Sequence, residues 1–138
     1  MRTLSLILTI CITVISGSVM AQNDTYACQY IKTAGLSWKN GKWNSDSFIN
    51  DDPFFLSAIN NKLTSASVSK IFDGTEVNCF EKVTVSDSQT CATRFAELLI
   101  FNFKTMNGGV SNIYGSQVQS NQQRKDTLSV GAFTCTKM

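Results

Sequence analysis

The chain has 138 residues, 16% of them charged and 43% hydrophobic, with a net charge of +2 and no histidine. Charge well below the usual quarter excludes a disordered chain and a charged coiled coil. The missing histidine excludes Ser–His and Cys–His nucleophiles and histidine-ligated metal sites.

Residues 1–21 read as an export leader. Arg2 supplies a positive start, Leu4 to Ile15 an apolar run, and Val19-Met20-Ala21 a small-residue cleavage site after Ala21. The run is too short to span a bilayer, and no charged stop follows it. Cys11 follows the branched Ile10 rather than a small residue, so no lipid anchor is expected. The mature chain, 22–138, is a single domain with a net charge of +1 once Arg2 is removed. Its longest basic run is Arg124-Lys125, which gives no support for nucleic-acid binding or polybasic membrane attachment.

Short apolar–polar runs punctuated by Gly, Asn, Asp and Ser point to an all-β antiparallel meander. In chain order, Thr25–Ile31 alternates, with Tyr26, Cys28 and Tyr30 on one face. Leu36–Lys39 and Lys42–Ile49 flank Asn40-Gly41, the strongest hairpin signal in the chain. Phe54–Ile59 and Leu63–Ile71 flank a turn at 60–62, and Thr75–Val85 would place Val77, Cys79, Glu81, Val83 and Val85 on one face. Cys91–Lys104, Val110–Gln119 and Thr127–Thr136 complete the set, with a bulge at Gly131 required if Leu128, Val130, Phe133 and Cys135 are to share a face. Asp52-Pro53 followed by Phe55, Ile59 and Leu63 at helical spacing leaves room for one short helix within 52–63. Helix formers in 93–100 compete with the alternation of Leu99, Phe101 and Phe103, and strand is favoured there.

Four cysteines remain after export: Cys28, Cys79, Cys91 and Cys135. An even number in an exported domain implies two disulfides. Of three possible pairings, Cys28–Cys135 with Cys79–Cys91 is preferred. The second closes a short loop around a polar turn, and the first joins the ends of the domain. The intervening spacings of 50, 11 and 43 residues contain no CxxC, so a zinc site is a poor reading. About eight short strands whose first and last members meet form a small closed barrel.

The 14 aromatic residues read first as core; the sharper reading is an apolar cavity lined by Phe95, Leu99, Phe101 and Phe133. Trp38 and Trp43 straddle the Asn40-Gly41 turn, where they form a cross-strand pair or an exposed aromatic platform. Arg124 precedes the last strand and is placed either in an exposed turn or stacked on Trp38. Glu81 and Glu97 form a conceivable carboxylate dyad, but a solvated or Lys82- and Arg94-paired face is the simpler reading. Asp51-Asp52 lacks the alternating oxygens of a calcium loop, and Asn23-Asp24-Thr25 is a glycosylation sequon relevant only in a eukaryotic source.

Tyr26-Ala27-Cys28, the Trp38–Trp43 turn, Gly109-Val110-Ser111 with Gly115, and Arg124 through Phe133-Thr134-Cys135 resemble small exported proteobacterial proteins of unassigned function. A Trp near the first strand and an Arg near the last resemble calycins such as lipocalins, whose Gly-x-Trp is here Gly35-Leu36-Ser37-Trp38. Size, barrel form and terminal cysteine pairing are similar to those of periplasmic lysozyme inhibitors, whose Ser-Gly-x-x-Tyr motif this chain lacks. The expectation is a monomeric, non-enzymatic, periplasmic or secreted barrel without cofactor, metal or stable membrane anchor. It binds either a protein partner, through contacts at Trp38, Trp43 and Arg124, or a small apolar ligand inside the barrel.

Overall fold

A computed structural model describes residues 21–47, 52–83, 85–113 and 127–138. Residues 1–20 of the expected leader and Arg124 lie outside these residues. The described residues form nine antiparallel strands: β1 (Asn23–Lys39), β2 (Lys42–Asp46), β3 (Phe54–Ile59), β4 (Lys62–Leu63), β5 (Val77–Cys79), β6 (Ser88–Thr93), β7 (Glu97–Asn102), β8 (Asn107–Asn112) and β9 (Thr127–Lys137). One short helix, α1 (Ser65–Ser69), runs directly into a 3₁₀ turn at Lys70–Phe72.

Strand β1 organises the sheet. Along one edge it pairs with β9 from Tyr26↔Lys137 to Ser37↔Thr127. Along the other it pairs with β3 over Asn23–Cys28 and then with β2 over Gly35–Lys39. The order β4-β3-β1-β9-β8-β7-β6-β5 makes a nearly closed eight-strand barrel, and β2 extends β1 beyond it.

The hairpins follow local turn chemistry. Asn40-Gly41 has φ of 55° and 76°, and Asn60-Asn61 has φ of 52° and 59°, the left-handed pairs that two-residue hairpins need. Between β6 and β7 the turn Arg94-Phe95-Ala96 ends with Ala96 at φ 61°. The Thr93 hydroxyl holds that turn by accepting from the Phe95 N–H at 3.2 Å and the Glu97 N–H at 3.3 Å. Between β7 and β8 the Asn102 Oδ1 accepts from the N–H groups of Lys104 at 3.0 Å and Thr105 at 2.8 Å.

Several expectations are revised. Residues 25–31 and 36–39 belong to one long strand, because Thr33 and Ala34 pair with β9 as well. The bulge lies on β1, between Tyr30 and Lys32, and not at Gly131. Gly131, Phe133 and Cys135 are buried in regular alternation, while Val130 faces solvent. Residues 91–104 are not one strand: the Thr93 turn splits them into β6 and β7. Of the expected 75–85 strand, the described residues form β5 at 77–79 and an isolated bridge from Val83 to Ser88, and Val83 and Val85 are exposed. The helix lies at 65–69 rather than in 52–63, where β3 forms instead. Thr64 caps it, accepting from the Ser67 N–H at 3.4 Å, and Val68 and Phe72 reach the core at helical spacing.

The interior is built from inward residues of every strand in the ring. Tyr26, Leu56, Leu99, Phe101 and Phe133 are fully buried. Their rings interlock: Tyr26–Phe101 centroids lie 5.3 Å apart, Phe101–Phe103 5.0 Å and Phe54–Phe133 5.1 Å, each edge-to-face. Disulfides Cys28–Cys135 and Cys79–Cys91 each join residues directly opposite on neighbouring strands, β1 to β9 and β5 to β6. Among the described residues, no helix is long and apolar enough to cross a membrane.

Candidate functional site

The barrel has one seam. Strands β4 and β5 are its two ends and share no backbone ladder; α1 and the 3₁₀ turn fill the connection between them. The buried side chain of Gln89 closes the gap. Its Nε2 donates to the Phe80 carbonyl at 2.9 Å, and its Oε1 accepts from the Leu63 N–H at 2.7 Å. One partner is an acceptor and the other a donor, so a single amide orientation satisfies both. Outside it, Lys62 pairs with Glu81 at 2.7 Å.

Beside the seam, a cleft of about 550 Å³ lies between β3 and the helix, inside the size range of small-molecule and side-chain pockets. Tyr30, Pro53, Phe54 and Phe55 line it from the sheet side. Ser67, Lys70, Ile71 and Asp73 line it from the helical side, and Asp52 stands at the start of β3. The Tyr30 and Phe54 rings touch at 5.1 Å, and Phe54 is locked in turn against Phe133. Burial pushes the Tyr30 phenol above its usual range, so it stays protonated at neutral pH and can donate or accept. Asp52, Lys70 and Asp73 make no ion pair among the described residues, which leaves the cleft a net charge of −1.

One end of the barrel carries a buried carboxylate. Asp24 pairs with Lys137 at 2.9 Å and accepts from Gln22 Nε2 at 3.2 Å. The hydrogen bond from Lys137 holds the Asp24 carboxyl below its usual range, against the opposing effect of burial, and the same contact raises Lys137.

The residues expected to bind fall elsewhere. Trp38 and Trp43 are directly opposed in the β1–β2 register, on the part of the ribbon that projects past β3. Trp43 is half-buried; the Trp38 side chain and Arg124 lie outside the description. Phe95 sits in the β6–β7 turn with the Arg94 guanidinium 4.7 Å from its ring centre, not among the interior rings. Glu81 is exposed and pairs with Lys62 rather than Lys82, which instead binds Asp87 at 2.8 Å. Glu97 accepts from Thr93 Oγ1 at 3.0 Å and Asn112 Nδ2 at 3.2 Å, bonds that fasten the ends of β6, β7 and β8. Among the described residues, no cluster of three or more acidic or cysteine side chains could hold a metal ion.

The cleft was missed in the sequence because its helical side, Ser67, Lys70, Ile71 and Asp73, comes from α1 and the 3₁₀ turn, and residues 63–71 read as a strand. The available signals were Thr64 before Ser65 and the spacing of Val68, Ile71 and Phe72. The nearly closed antiparallel barrel is compatible with a calycin-like fold. Comparison with models of protein families, with curated proteins and with solved structures finds no match to this chain.

Proposed function

We propose that this protein is an exported, non-enzymatic interaction module that binds a protein partner through its outer surface, with the β1–β2 hairpin around Trp43 as one contact. The observation that carries the reading is the filled interior. Tyr26, Leu99, Phe101 and Phe133 occupy the centre of the ring with no exposure above 1%. A carrier needs roughly 300 Å³ or more of open apolar space at that place. Two disulfides suit an oxidising compartment outside the cytoplasm, where cytosolic reductants do not break them. The small net charge favours an aromatic or apolar anchor over long-range steering.

The test is native mass spectrometry of the processed protein isolated from its own compartment. The expected species are the bare two-disulfide monomer and a complex with a second protein that a Trp43→Ala variant depletes. A stoichiometric small apolar molecule travelling with the monomer would overturn the reading in favour of a carrier.

A further inference from the structure

The edge of β3 that faces away from β1 is paired only in part, over Ala58 and Ile59. Successive backbone groups of a strand point to opposite sides. The Ser57 carbonyl accepts from the Thr64 N–H at 2.8 Å and from Ser67 Oγ at 3.3 Å, so it faces away from β1. Two residues earlier on the same strand, the N–H and C=O of Phe55 face the same way. The partner strand on that side, β4, contains only Lys62 and Leu63, and Pro53 ends the edge in the other direction. Among the described residues, nothing hydrogen-bonds the outward N–H or C=O of Phe55. The Ser57 N–H is likewise open, because the Thr64 carbonyl is turned into the helix, accepting from the Ser67 N–H at 3.1 Å and the Val68 N–H at 3.3 Å.

These open groups border the 550 Å³ cleft, with the helix and the 3₁₀ turn opposite. A strand edge facing a helix across an aromatic-lined cleft is the geometry in which an extended peptide adds to a sheet, main-chain bonds giving affinity and side-chain pockets giving specificity. Uncovered edges are ordinarily blunted by charge, proline or a covering element; among the described residues no strand covers the outward groups of Phe55, with Pro53 two residues before it and α1 across the cleft.

We infer that the cleft between β3 and α1 receives an extended segment of a protein partner, which pairs with the Phe55 edge. An apolar side chain of that segment lies against Tyr30, Phe54 and Ile71, and a lysine or arginine meets Asp52 and Asp73. The inference rests on the interaction reading above and names the partner's chemistry. The basic residue follows from charge: two unpaired carboxylates against one unpaired ammonium favour a cation, and the neighbouring rings favour it further.

The test pans a phage library of random dodecapeptides against the folded, oxidised mature protein and measures the selected peptides in solution. Selected sequences are expected to alternate apolar and polar residues and to carry at least one lysine or arginine. In the wild type their binding slows hydrogen exchange at the Phe55 and Ser57 amides by at least tenfold. Phe55→Pro removes the edge donor but no β1 ladder bond, so it weakens binding at least tenfold, and Asp52→Asn with Asp73→Asn weakens it several-fold. Failure to select any peptide, or binders that leave the Phe55 and Ser57 amides unprotected, overturns the inference. Should Phe55→Pro not fold, the exchange measurement on the wild type decides alone. Binders lost in Trp43→Ala but kept in Phe55→Pro would sink this site while leaving the interaction reading standing.

Discussion

Replacing Gln89 by leucine keeps the side-chain size and removes both of its hydrogen bonds, the one from Leu63 across the seam and the one to Phe80 on its own side. The Phe80 carbonyl belongs to an exposed residue and can be rehydrated, but Leu63 is 5% exposed and its N–H would be stranded. Two lost hydrogen bonds at about 1 kcal/mol each, plus about 1–3 kcal/mol for a buried unsatisfied donor, are offset by about 1 kcal/mol from burying an apolar side chain. The expected net loss is about 2–4 kcal/mol, read as a lower urea midpoint at pH 7 with both disulfides intact and an unchanged slope. Hydrogen exchange should show the Leu63 amide losing protection before the amides of β7 and β8. A midpoint shifted by less than about 0.5 kcal/mol with the Leu63 amide still protected would refute the claim that Gln89 closes the barrel.

The Cys28–Cys135 bond spans 107 residues and Cys79–Cys91 spans 12, so loop-closure entropy predicts losses of about 5 and about 3 kcal/mol for the paired Cys→Ala variants. Thermal unfolding of the two variants should preserve that order. Asp24 has a lowered pKa in the folded state, so its contribution is full above its ordinary value of 3.8 and lost as pH falls through the lower folded value. Lys137 is raised above 10.5, so its share is full below that pH and lost on further alkalinisation. The urea midpoint should therefore fall on acidification below about pH 4, and Asp24→Asn should flatten that limb. A Cβ at Gly108 would overlap the Phe133 ring and stand 2.5 Å from the Ile100 carbonyl. Gly108→Ala should cost about 1–3 kcal/mol or more in urea unfolding, since neither the locked ring nor the ladder can yield freely.

How much of this was legible depended on whether the signal was local. Asn40-Gly41 could be read because left-handed turns select Asn and Gly, and the alternation of Tyr26, Cys28 and Tyr30 because one face of β1 is buried. The meeting of the chain ends followed from pairing Cys28 with Cys135, and β1 does lie beside β9. The location of the opening did not follow. It is not between the first and last strands but at β4 and β5, because β1 is long enough to serve both β3 and β2 on one edge. The β6–β7 turn was hidden since its left-handed position is Ala96, which carries no turn signature, and the Thr93 hydroxyl supplies what a glycine otherwise would. The helix was hidden because Ser65–Ser69 is poor in helix formers and is held by its cap and by Val68 in the core. The cleft, which needs that helix, could not be read without it.

The central claim is that the barrel is solid and that binding happens outside it. A crystal structure of residues 22–138 under xenon tests this, since xenon enters dry apolar cavities. A solid barrel takes up no xenon within contact of Tyr26, Leu99, Phe101 and Phe133 together. A xenon atom, or a retained lipid, at the centre of those four side chains would contradict it.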